Sequence, residues 1–150
     1  MGLEEYLSED LIATDLKGND KRAVIEELLD LLVTSQKVRH RETCFHDLLE
    51  RERYLSTGLE NGLAVPHAKT AATEEMVVSF GLSRPGLDFR SSDGKPTHFV
   101  FLVLSPLDTS GPHLKILAQI SRIFRDRGVG AKLLETKNSA EILKVIHEYK

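Results

Sequence analysis

Six histidines carry most of the chemistry this 150-residue chain has to offer, and two of them stand apart by position. His67 directly follows Val65-Pro66 at the end of a short apolar run. Proline fixes its own φ near −65° and biases the residue before it to extended geometry. An imidazole on such a rigid mount is held in place, as a nucleophile should be. His113 follows Ser110-Gly111-Pro112, which opens a helix with Pro112 suited to its first position. A histidine there sits beside unpaired backbone N–H groups and the positive end of the helix dipole, a place that lowers imidazole basicity and favours anions.

The chemistry these two would share is phosphoryl transfer. Neutral imidazole is a good nucleophile near pH 7 because its pKa is about 6.5. A migrating phosphoryl group needs mainly positioning, with cations or N–H donors for its oxygens. Arg51 offers a planar fork for those oxygens. The same residues also admit a plain structural reading: His67 closes a strand, His113 caps a helix, and Arg51 in Glu50-Arg51-Glu52-Arg53 belongs to a solvated charge run.

The other histidines offer less. His40 and His46 are six apart and share no helical face, His98 opens a strand, and His147 lies among Glu and Lys as a surface residue. No H-E-x-x-H or C-x-x-C spacing suggests zinc, and no G-x-S-x-G, G-x-x-x-x-G-K-[ST] or G-x-G-x-x-G run suggests a hydrolase, NTPase or dinucleotide fold. No metal is therefore expected.

These residues need a scaffold. A strand candidate at 11–16 precedes a helix capped by Asn19 or Asp20 and running to about Ser35, with Val24, Leu28, Leu31 and Leu32 at helical spacing. A second helix at 41–53 has Cys44, Phe45, Leu48 and Leu49 on its apolar side. Gly58 and Gly62 punctuate a loop into Leu63-Ala64-Val65, and longer strands follow at 76–82 and 98–104. The last is apolar almost throughout, as in a central strand covered on both faces. A helix from Pro112 towards Gly128, with Leu114, Leu117, Ile120, Ser121 and Phe124 in period, leads to short helices at 132–135 and 139–149. Helices at both ends with strands between predict an α/β fold, a mixed sheet flanked by helices on both faces.

Composition sets the bounds. Hydrophobic residues are 41% and charged residues 29%, the balance of one ordinary globular domain over 1–150. A net charge of −3 argues against a nucleic-acid partner. Cys44 is the single cysteine and reads as a core thiol. The start Met1-Gly2-Leu3-Glu4-Glu5-Tyr6 has no secretory pattern, and no apolar run reaches the roughly 18 residues of a membrane span, so a cytoplasmic protein without membrane insertion is expected.

One further pattern narrows the field. Arg51-Glu52, then Ser56-Thr57-Gly58-Leu59-Glu60-Asn61-Gly62-Leu63-Ala64-Val65-Pro66-His67-Ala68-Lys69, resembles the active-site signature of phosphotransferase-system (PTS) enzyme IIA, type 2. This is the fructose/mannitol class with its nitrogen-regulatory branch. His113-Leu114-Lys115-Ile116-Leu117-Ala118 is similar to its second motif, and Asp93-Gly94-Lys95-Pro96 before an apolar strand also fits. Ala68 stands where many members have glycine.

The resemblance implies that His67 accepts phosphate from phospho-HPr or its nitrogen-branch paralogue. His113 then contacts the phosphoryl group or orients the first imidazole, and Arg51 helps stabilise charge. It implies no cofactor, and an acceptor that is either a IIB component or a regulatory target. A second expectation is a regulatory binding module gated by the state of His67. No IIB-like cysteine motif or linker follows Lys150, which leans slightly towards that branch.

Overall fold

The computed structural model describes residues 2–149; Met1 and Lys150, the ends of the stretch read as one domain, lie outside the described residues. The chain enters through two 3-10 turns, Leu3–Glu5 and Glu9–Leu11, and forms β1 (Ile12–Ala13), α1 (Lys21–Thr34) and α2 (Arg41–Tyr54). Then come β2 (Leu63–Ala64), β3 (His67–Lys69), β4 (Val77–Leu87) and β5 (Thr97–Ser105), followed by α3 (Ser110–Phe124), α4 (Arg127–Leu134) and α5 (Ser139–Glu148).

The five strands form one mixed sheet in the order β1-β4-β5-β2, with β3 on the same side of β5 as β2. β4 and β5 are antiparallel, whereas β1, β2 and β3 all join parallel to their neighbours. Alternation along the central strands sends side chains to opposite faces. Phe80, Leu82, Phe99, Phe101 and Val103 pack with Ile116, Ile120, Phe124, Val129, Leu133, Ile142 and Ile146 of the last three helices. Val77, Val100, Leu102 and Leu104 pack on the other face with Val24, Ile25, Leu28, Leu32, Cys44, Phe45 and Leu48 of the first two. The expected class, a mixed sheet with helices on both faces, is the observed one.

Several elements differ from their expected bounds. The strand at 11–16 shrinks to two residues, because Glu9–Leu11 curl into a 3-10 turn and the chain bends at Thr14 and Asp15. The strand at 76–82 runs on to Leu87 through a register shift after Leu82, where Gly86 takes φ +87°. α3 begins at Ser110, so Pro112 is its third residue and not its first. Its buried face is His113, Ile116, Ile120, Ile123 and Phe124, one position off the expected stripe, which leaves Leu114 64% exposed. α3 stops at Phe124, and the short helix expected at 132–135 starts at Arg127 because the Asp126 side chain caps it through Gly128 N.

Candidate active site

His67 does not hang in a loop past a strand, as its place after Pro66 suggests; it opens β3, paired in register with Val103. The edge strand breaks between β2 and β3 for a covalent reason. Pro66 has no N–H to give, and Val65 turns its own N–H to the Thr57 carbonyl at 3.1 Å. The Pro66 carbonyl still accepts from Val103 N, so the chain rejoins the sheet at once. The Val65 carbonyl, two residues back, accepts from the His67 ring at Nδ1, 2.7 Å away. A carbonyl can only accept, so the ring proton sits on Nδ1 and Nε2 keeps its lone pair.

The His113 ring lies with its centroid 5.4 Å from that of His67, tilted by 55°. It is the fourth residue of α3 and almost wholly buried, and its Nδ1 is 2.5 Å from Ser105 Oγ at the end of β5. Burial, then the charges of His67 and Lys69, push its pKa from 6.5 down to about 4. His67 is also held below its ordinary value: burial disfavours the cation, the Val65 carbonyl opposes this, and the charge of Arg51 adds to the depression while Glu52 offsets it. Both shifts keep the rings neutral at pH 7, and a neutral ring is what an imidazole nucleophile requires.

Arg51 lies in the last turn of α2 and donates from Nη1 to the Leu55 carbonyl at 3.0 Å, which satisfies a carbonyl just past the helix end. Its positive charge acts on the His67 ring, so Arg51 lies in the neighbourhood of that imidazole. The fold thus brings His67, His113 and Arg51 to one place, from β3, α3 and α2. His40 and His46 stay exposed, and the His98 ring is engaged with the Ser83 carbonyl at 2.8 Å. Among the described residues no group of three or more His, Cys, Asp or Glu side chains is placed to hold a metal ion.

The structure gives a place to residues of the signature that the sequence reading left without a role. Glu52 is buried and accepts from Thr57 N at 2.8 Å, Thr57 Oγ1 at 2.6 Å and Lys21 Nζ at 2.8 Å. Thr57 is the residue whose carbonyl holds Val65 N, so this carboxylate braces the mount of His67. Gly58, next in the loop, sits where a Cβ would meet the Phe89 carbonyl at 2.8 Å, and Gly62 takes φ +76° as the loop turns into β2. Lys69 is two residues beyond His67 and so shares its strand face; its Nζ donates to Ser110 Oγ at the mouth of α3. That i, i+2 spacing was a usable signal for Lys69, whereas Ser105 and Lys21 meet the site only through long-range folding.

Comparison with known proteins shows the family of the chain. The chain is 37% identical over 139 residues to the "PTS system fructose-specific EIIA component" of Haloferax volcanii, covering 93% of this chain and 90% of that protein. It is 31% identical over 149 residues to the "PTS system fructose-specific EIIABC component" of Bacillus subtilis, where it spans 99% of itself but only 24% of that longer protein. The crystal structure of nitrogen regulatory protein IIA-Ntr from Neisseria meningitidis superposes with a TM-score of 0.87 at 28% identity, covering 96% of this chain and 98% of that one. Among the described residues no helix is long and apolar enough to cross a membrane. The model of the phosphoenolpyruvate-dependent sugar phosphotransferase system, EIIA 2 family matches residues 5–149, and the chain belongs to that family.

Proposed function

We propose that this chain is a single-domain phosphocarrier over residues 1–150 that accepts a phosphoryl group on His67 Nε2 and passes it on. The observation that carries the reading is the pairing of two neutral imidazoles 5.4 Å apart, one with Nδ1 tied to a carbonyl and the other in the first turn of α3. Nucleophilic Nε2 attacks phosphorus in line, and the N–P bond forms as the bond to the donor breaks. The proton stays on Nδ1, donated to the Val65 carbonyl, and that hydrogen bond supports the positive charge the ring acquires. His113, Arg51 and the α3 N-terminus supply donors and positive potential for the equatorial oxygens.

The donor in this reading is phospho-HPr or its nitrogen-branch paralogue, and the acceptor is a IIB component or a regulatory target, all in the cytoplasm. The likeness to a fructose-specific EIIA supports a transport role. The likeness to IIA-Ntr supports a second reading, in which phosphate on His67 gates the binding of a protein partner. About two added negative charges at a half-buried site are enough to switch such an interface by repulsion and desolvation.

Intact mass after incubation with enzyme I, HPr and phosphoenolpyruvate tests the proposal. One acid-labile phosphate on the wild type and none on His67→Ala is the expected result, with His113→Ala and Arg51→Ala phosphorylated about 10²-fold more slowly. Phosphate retained by His67→Ala would overturn the assignment. Partner capture by phosphorylated and unphosphorylated protein separates the two readings, since equal recovery in both states counts against gating.

A further inference from the structure

Ser105 closes β5 opposite Lys69 in the register, and its hydroxyl is sealed from solvent. Its backbone carbonyl is already occupied by Thr70 N at 2.8 Å. Its Oγ lies 2.5 Å from His113 Nδ1 and has no other hydrogen-bond partner among the described residues. Two proton arrangements fit that contact. If Nδ1 carried the ring proton and donated, the buried hydroxyl hydrogen of Ser105 would be left without an acceptor. If the hydroxyl donates to Nδ1, both groups are satisfied, and the ring proton of His113 must sit on Nε2.

We propose that Ser105 is a positioning residue that holds His113 in the Nε2–H tautomer, so that the ring presents a donor to the phosphoryl oxygens. This rests on the phosphocarrier reading for its purpose, but not for its geometry. The two rings are then set in opposite tautomers by opposite partners. The Val65 carbonyl accepts a hydrogen bond from Nδ1–H of His67 and leaves Nε2 as nucleophile, while the Ser105 hydroxyl donates to Nδ1 of His113 and leaves Nε2–H as donor. His113 gives up no proton during transfer. The other tautomer would turn a lone pair towards the phosphoryl oxygens, which repels them.

The test is two-bond ¹H–¹⁵N correlation on protein with ¹⁵N-labelled histidine, unphosphorylated and at pH 7, joined to the rate of His67 phosphorylation. The wild type is expected to carry the His113 proton on Nε2. Ser105→Ala is expected to give a mixture of His113 tautomers and an about tenfold slower phosphorylation, while the His67 ring keeps its Nδ1 proton. Ser105→Thr keeps the hydroxyl and is expected to restore both. A wild-type His113 protonated on Nδ1 overturns the proposal, and so does a Ser105→Ala protein with unchanged tautomer and rate. If Ser105→Ala does not fold, the wild-type spectrum still decides. If the wild type accepts no phosphate, the phosphocarrier reading fails, and the tautomer readings still decide the role of Ser105.

Discussion

At the scale of single residues, His113 ties folding stability to pH. An imidazole buried as a neutral ring favours the folded state only while it stays neutral, and its folded pKa of about 4 lies well below the ordinary 6.5. The unfolded chain therefore binds the extra proton first as the pH falls. Stability contributed by this group is complete above about pH 6.5 and is lost between there and pH 4, by as much as about 3 kcal/mol. Urea midpoints measured from pH 7 to 4.5 should fall with a one-proton slope that His113→Phe reduces; parallel curves for the two proteins would refute the idea. Of the three residues proposed for the chemistry, His67 and His113 stand out by local context, Pro-His and a helix start, whereas Arg51 taken alone reads as part of a charge run and enters through the resemblance. Ser105 was not legible, since a serine at the end of an apolar strand has no local mark of an imidazole eight residues away.

At the scale of elements, the Lys21–Glu52–Thr57 cluster ties the start of α1, the last turns of α2 and the loop into β2. The Glu52 side chain is 5% exposed and that of Lys21 is 23% exposed, so the pair is much better shielded than the Arg53–Glu50 pair on the same helix. Breaking a shielded pair from one side leaves a buried charge without its partner. Lys21→Met should cost about 2–4 kcal/mol, and adding Glu52→Gln should recover part of that loss, because a neutral amide tolerates the site. Denaturant unfolding of the two single variants and the double variant checks this, and a double variant no more stable than Lys21→Met alone would sink it. α1 and α2 were readable as elements because their apolar periods and the Asp20 cap are local. The short edge strand β3 was hidden, because three residues carry no period and only pairing with β5 makes them a strand. α4 was misplaced because Gly128 reads as a stop, yet it falls in a first turn capped by Asp126.

At the scale of the whole molecule, the sheet buries apolar side chains on both faces and still leaves a few large ones in water. Tyr54 is 87% exposed, Leu55 71%, Leu114 64% and Leu107 63%. Single exposed apolar residues are ordinary, but these four fall within a few residues of Arg51 or His113. Tyr54 and Leu55 follow Arg51, whose side chain holds the Leu55 carbonyl; Leu107 leads into α3, and Leu114 follows His113. A carrier that hands a phosphoryl group between proteins needs a contact that forms around the reacting ring and releases quickly, and apolar anchors beside polar neighbours suit that task. Leu107→Ser and Leu114→Ser should each leave folding stability within about 0.5 kcal/mol, since neither side chain is buried. Each should weaken binding of an HPr-type donor by about tenfold, a loss typical of truncating one well-placed anchor. Chemical phosphorylation of His67 by phosphoramidate, which needs no protein donor, should proceed at the wild-type rate in both variants. Titration with the donor and the phosphoramidate rate together decide the matter. Equal loss in both assays would mean that the substitutions disturb the site itself, and no loss in either would mean that the donor docks elsewhere.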